Sequence, residues 1–362
     1  MSYPFYIGLG DLSLYPFRES YYYFQTQTTG KYPKEFMVNR LKIVTVFSAL
    51  LFLMSLKNSS AQEIDQHQYW LELSAADQTY ADLAFDIGRA AAFLEFLGEG
   101  SVVFRNNRGP VDALVEYRTN EQVGELTWES HYIDVSRDGD LGLTAGPYEA
   151  INTTEQDDPY SFGHLVSIWK KNDGRWELMA DMIASIPGFL NLNVEPEYKE
   201  TQAVLDETAH PVMIVDANSD MQALIDADNL FGLSINFRGG QRALLRYGLE
   251  NTRVYLPEMA PAIGAEAASS VYGAYLDNQL STTVPISLTY MGGYLSTSKD
   301  MGYTYGIMRA NQGEVLALGE DENIKFFQAS YLRQWRFHES NEWRIAVEVL
   351  RPLDIPFVED SN

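Results

Sequence analysis

Residues 136–146 read Ser-Arg-Asp-Gly-Asp-Leu-Gly-Leu-Thr-Ala-Gly, and residues 296–306 read Ser-Thr-Ser-Lys-Asp-Met-Gly-Tyr-Thr-Tyr-Gly. A serine, an aspartate, a glycine, a threonine and a second glycine recur in step, at an offset of 160. Downstream, Trp169 and Trp176 answer Trp335 and Trp343 at offsets of 166 and 167. Upstream, Val102-Val103-Phe104 leading to Pro110 answers Arg253-Val254-Tyr255 leading to Pro261 at 151. The landmarks keep their order, and the offset drifts only across stretches that read as loops. An internal repeat of this length marks a duplicated structural unit.

Each copy opens on helices. Leu83, Ile87, Ala90, Leu94 and Leu97 recur at three- and four-residue steps, as do Leu224, Ala227, Phe231 and Ile235 in the second copy. Asn218, Ser219 and Asp220 are capping candidates, and Gly98 and Gly248 are read as the stops of the second helical segments. Strands follow: 126–136, 141–150, 162–171 and 175–183 in the first copy, and 284–296, 301–310, 324–337 and 342–350 in the second. Asn172-Asp173-Gly174 is a hairpin turn signal, and 338–341 is its longer counterpart. Helices followed by consecutive antiparallel strands predict an α+β fold: in each copy, N-terminal helices packed on a strongly bent antiparallel sheet that forms a cone.

The chain has 362 residues, 46% apolar and 21% charged, which is enough to bury the cores of two domains and excludes a disordered or fibrous chain. The formal net charge of -24 argues against nucleic acid as a partner, since a phosphate backbone needs clustered Lys and Arg. There is no cysteine, hence no disulfide, thiolate metal site or cysteine nucleophile.

Residues 37–61 read as a signal peptide: Arg40 and Lys42, the uncharged run Ile43 to Leu56, then Ser59-Ser60-Ala61 at the cleavage site. That run falls short of the roughly 20 apolar residues of a spanning helix, which favours a cleaved signal over an uncleaved N-terminal anchor, and no stable membrane span is expected after cleavage. Export to the periplasm or the cell exterior follows as the expectation. Residues 1–36 are an upstream extension, either a start assigned too early or a genuine addition. The remaining divisions are 62–186 for the first domain, 187–217 for a connecting segment, 218–351 for the second domain and 352–362 for a tail.

The helix pair, the strand ending near Pro110, Trp128, the turn at 135–144, Gly163 to Lys171 and Gly174-Arg175-Trp176 together resemble the NTF2-like superfamily, in its SnoaL-like and DUF4440-type branch. The resemblance covers about 66–186 and 218–350. It implies two tandem cone-shaped, cystatin-like domains, paired with each other within the chain. The second copy departs from the pattern, with no glycine answering Gly139 and Ser330 in place of His164. The superfamily holds isomerases, dehydratases and cyclases beside non-catalytic binding modules, so the fold alone assigns no activity.

A catalytic set is not evident. Isomerases of this fold carry an Asp base just after the first strand; here the first copy has Phe104-Arg105-Asn106-Asn107 and the second offers only Glu258. The weak candidates are His164 and His131, imidazoles able to act near neutral pH, and Asp181, whose counterpart is Glu348. Asp181 falls out of phase with Trp176, Leu178 and Ala180, which predicts a face turned to solvent or to the other domain. Asp140 and Asp300 read as turn formers.

Trp128, Trp169, Trp176, Trp335 and Trp343 read first as core and, if the cones are open, as aromatic walls for a ligand; Tyr148 is a further ligand candidate, and Tyr290 and Tyr303 would hydrogen-bond a ligand or stand at a domain interface. No phosphate loop, metal-binding motif or nucleophile elbow is visible, so neither cofactor nor metal is expected, and the Asp157-Asp158 turn reads as solvated. The leading expectation is an exported protein that holds a small apolar or ring-containing molecule, or a partner protein, without catalysis. The alternative is an isomerase, dehydratase or cyclase using a His or Asp base in the first domain. A third reading is an assembly role with filled cones.

Overall fold

The computed structural model describes residues 66–119, 125–151, 159–188, 190, 194–199, 217–279, 285–310 and 327–354. The extension, the leader, much of the connecting segment, the Asp157-Asp158 turn and most of the tail lie outside the described residues.

The first module runs α1 (Gln66–Ile87), α2 (Arg89–Glu95), β1 (Leu97–Arg105), β2 (Gly109–Asp112), α3 (Ala113–Thr119), β3 (Glu125–Trp128), β4 (Tyr132–Val135), β5 (Leu141–Ile151), β6 (Tyr160–Asn172) and β7 (Arg175–Ile186). The second runs α4 (Ala217–Arg238), α5 (Gly240–Tyr247), β8 (Gly248–Tyr255), β9 (Ala262–Ile263), α6 (Ala265–Gln279), β10 (Ile286–Leu295), β11 (Met301–Ala310), β12 (Gln328–His338) and β13 (Glu342–Pro352). The sheets are separate, ordered β2-β1-β7-β6-β5-β3, with β4 also on β5, and β10-β11-β12-β13-β8-β9. Each is antiparallel except at one pair, β1 with β7 and β8 with β13, which run parallel.

Several expectations are corrected. A third helix, α3 or α6, follows the first hairpin of each module, where only strands were expected. Asp112 caps α3 by accepting from the Val115 N–H at 2.8 Å. Gly98 does not stop a helix. It lies in β1, where a Cβ would stand 2.7 Å from the Met179 sulfur. The helical stripe is instead broken at Gly88 and, in the second copy, at Gly239, with φ of 85° and 78°. Those angles suit glycine and turn α2 and α5 away from the preceding helices. Gly248 does cap α5. The expected strand 126–136 is divided into β3 and β4, which pair with opposite halves of β5.

Phase matters most at β7. Ile168 pairs with Ala180 but Trp169 pairs with Leu178, so Met179 is a bulge. The extra residue resets the alternation, and Asp181 rejoins Trp176 and Leu178 on the face under the helices. The expected outward face for Asp181 is thereby overturned. The second module repeats the device at Ala346, which returns Glu348 to the helix-covered face.

Three cores result. One lies under the helices of the first module, around Trp169, Tyr80 and Phe93, and one under those of the second, around Trp335, Phe231 and Tyr272. The third joins the outer faces of both sheets, with Val166, Ile168 and Met182 from the first and Met301, Leu332 and Val347 from the second. The repeated turn sits at this junction. Asp140 accepts from the Thr297 N–H (2.7 Å) and hydroxyl (2.6 Å), while Asp300 accepts from the Arg137 N–H at 3.2 Å. Residue 140 meets 297 and residue 300 meets 137, the reciprocal contacts of an isologous pair.

Candidate functional site

Inside the first module, α1 places Asp77 and Tyr80 one turn apart above the sheet, and α2 delivers Arg89. Asp181 is 1% exposed and accepts from the Arg89 Nη2 (2.6 Å) and Nε (3.2 Å), the Tyr80 hydroxyl (3.1 Å) and the Ser167 hydroxyl (2.8 Å). Burial works against the Arg89 charge, and the adjoining Asp181 carboxylate offsets it, so the guanidinium is held protonated. Burial and the same carboxylate push the Tyr80 phenol up. Asp77 accepts from the Ser130 (2.6 Å) and Thr144 (2.7 Å) hydroxyls, and burial raises its carboxyl. Thr144 in turn accepts from the Trp169 indole at 3.0 Å.

The second module keeps this plan with its cation moved. Trp335 donates to Thr304 at 2.9 Å. Arg333 stands where the first copy has Ser167. It donates to Glu348 at 2.5 and 3.1 Å and to Asp228 at 2.7 Å, and it lies 4.0 Å from the Tyr331 ring centre. Tyr331 donates to Asp228 (2.7 Å) and Tyr272 to Glu348 (3.4 Å). Gly240 occupies the place of Arg89. Burial pushes the Glu348 carboxyl up to about 7, against the pull of Arg333.

The sequence-derived candidates fall in different places. His164 lies on the opposite face of β6 from Ser167, 4% exposed, its ring 5.4 Å from that of Tyr255 in the second module. Burial, helped by the like charge of His131, holds its pKa at about 4. His131 lies between β3 and β4, its N–H bonded to the Ala145 carbonyl at 2.9 Å, and burial lowers it too. Neither histidine joins Asp181. Glu258 is exposed, and its N–H is spent on the Ser185 carbonyl of the other module at 2.7 Å.

Trp169 and Trp335 are wholly buried, and Trp128, Trp176, Trp343 and Tyr148 are buried against their helices. The Trp128 ring lies 4.7 Å from that of Tyr80. Tyr303 is buried at the junction, stacked on Tyr305, and Tyr290 is half-buried.

A cleft of about 630 Å³ opens where the two modules meet. Its floor holds Tyr132 and Asp134 from β4, Arg253 from β8 and Arg336 from β12. Arg336 donates to Asp134 (3.0 Å from Nε), to Asp300 (2.7 Å) and to the Val135 carbonyl (2.7 Å). His131, Phe337 and His338 flank the floor. Sequence reasoning missed Asp134, Arg253 and Arg336. The one available signal was charge at inward positions of otherwise apolar strands.

Each module has the expected α+β arrangement, helices packed on a largely antiparallel sheet, present twice. No family model matches the chain, and no curated protein matches it. Solved structures do. A ketosteroid isomerase-like protein from Erwinia carotovora atroseptica is 13% identical at a TM-score of 0.31, covering 38% of this chain and 99% of its own. A protein of unknown function with a cystatin-like fold from Nostoc punctiforme is 13% identical at 0.28, covering 38% and 92%. An NTF2-like protein with a cystatin-like fold from Novosphingobium aromaticivorans is 12% identical at 0.29, covering 38% and 85%.

Proposed function

We propose that this chain is a non-catalytic binding protein, exported through the leader at 37–61, whose fused modules hold a small ring-containing molecule at or beside the junction. The observation that carries the reading is the state of the cone interiors. Asp181 in one, and Asp228 and Glu348 in the other, are bonded to internal donors among packed aromatic rings. A general base must reach the proton it removes, and these carboxylates already have partners.

The test is native mass spectrometry of the full chain exported from a bacterial host, beside assays of ketone isomerisation and of dehydration. A small-molecule adduct, no turnover above buffer, and a mature terminus at Gln62 are the expected results. Turnover that Asp181→Asn abolishes would establish instead the isomerase or dehydratase reading.

A further inference from the structure

We infer that the junction cleft binds a small ring-bearing zwitterion, its carboxylate on Arg253 and its ammonium group among the rim carboxylates; this rests on the binding reading above. The floor holds two guanidinium groups in unlike states. Arg336 is fully engaged by Asp134, Asp300 and a carbonyl. Arg253 lacks a counter-charge: among the described residues no carboxylate pairs with it, the Tyr255 phenol is its hydrogen-bond partner, and its Nε has none. Its guanidinium lies 4.2 Å from the Tyr132 ring centre, which fixes the group without neutralising it. A guanidinium on the cleft wall without a counter-charge favours an incoming anion, and a carboxylate suits its fork.

The rim carries the opposite charge. Glu195, Glu197, Glu250 and Glu339 are exposed, form no ion pair among the described residues and outnumber Lys199. A plain anion would meet repulsion on the way in, in a chain already at net charge -24. A plain cation would leave Arg253 without a counter-charge. A molecule bearing both charges satisfies floor and rim together. The Tyr132 and Phe337 rings supply the apolar wall for its ring, and the cleft volume is in the range of small-molecule sites.

The experiment titrates the full-length protein calorimetrically, at low ionic strength, with L-phenylalanine, phenylacetate and phenethylamine. L-phenylalanine is expected to bind at least tenfold more tightly than either singly charged probe. Arg253→Met, which keeps a stem over Tyr132, is expected to cost at least tenfold in affinity for L-phenylalanine. Should that variant fail to fold, Glu250→Gln with Glu339→Gln, both on exposed positions, is expected to weaken L-phenylalanine and phenethylamine and to tighten phenylacetate. Equal binding of phenylacetate, no heat with any probe, or affinity unchanged in these variants would overturn the inference. Binding that survives Arg253→Met but is lost in Asp181→Asn would move the ligand into the cone, which overturns the cleft assignment while leaving the binding reading standing.

Discussion

Asp181 and Glu348 stand at equivalent positions on β7 and β13, yet each is neutralised from a different wall. The cation comes from helix α2 in one module and from strand β12 in the other. Removing one partner of such a pair leaves a buried charge, which costs about 3–5 kcal/mol. Arg89→Met is therefore expected to destabilise the protein by that amount in urea denaturation, and adding Asp181→Leu is expected to restore much of the loss. His164 sets a second expectation. Its folded pKa of about 4 lies below the roughly 6.5 of a free imidazole, so the unfolded chain binds more protons between those values. Its contribution is whole above about pH 6.5 and is lost as the pH falls towards 4, by about 2–3 kcal/mol at pH 4.5. His131 acts in the same sense, while the raised Glu348 and Asp77 carboxyls act in the opposite one. The comparison is thus between wild type and His164→Gln, in urea at pH 7.5 and 4.5, where the variant is expected to lose the His164 share of the slope.

At the scale of elements, bulges and close approaches decide which side chains meet. The bulges at Met179 and Ala346 put each carboxylate under its helices. Gly146 on β5 and Gly306 on β11 sit where the edge strand presses inward. A Cβ would stand 1.8 Å from the Glu129 carbonyl oxygen at one and 2.0 Å from that of Thr289 at the other. Backbone atoms cannot swing aside as a side chain can. Gly146→Ala is expected to cost about 1–3 kcal/mol or more, read from the shift in melting temperature. Gly188→Ala, where nothing lies within 4 Å, is expected to change little.

At the scale of the molecule, the junction core and the reciprocal Asp140 and Asp300 contacts tie the modules into one body. Calorimetry is expected to show a single unfolding transition. Asp140→Ala with Asp300→Ala removes both clasps and part of the Arg336 compensation, and is expected to split that transition into two. A single transition in the double variant would mean that the shared apolar core alone couples the modules.

The duplication, the helix-then-strand order, most strand positions and the aromatic framework were legible from the chain, because they rest on spacing, turn chemistry and repetition. The stripe through Leu224, Phe231 and Ile235, the hairpin at 172–174 and the paired tryptophans all belong to that local level. The outward phase of Asp181 was misread because one bulged residue, invisible in the pattern, inverts every side chain after it. The places of His164 and Arg253 were decided only when two sheets met face to face, and that of Arg333 only when α4 packed over β12. Burial and charge pairing there depend on residues brought together from separate elements, and no local period encodes them.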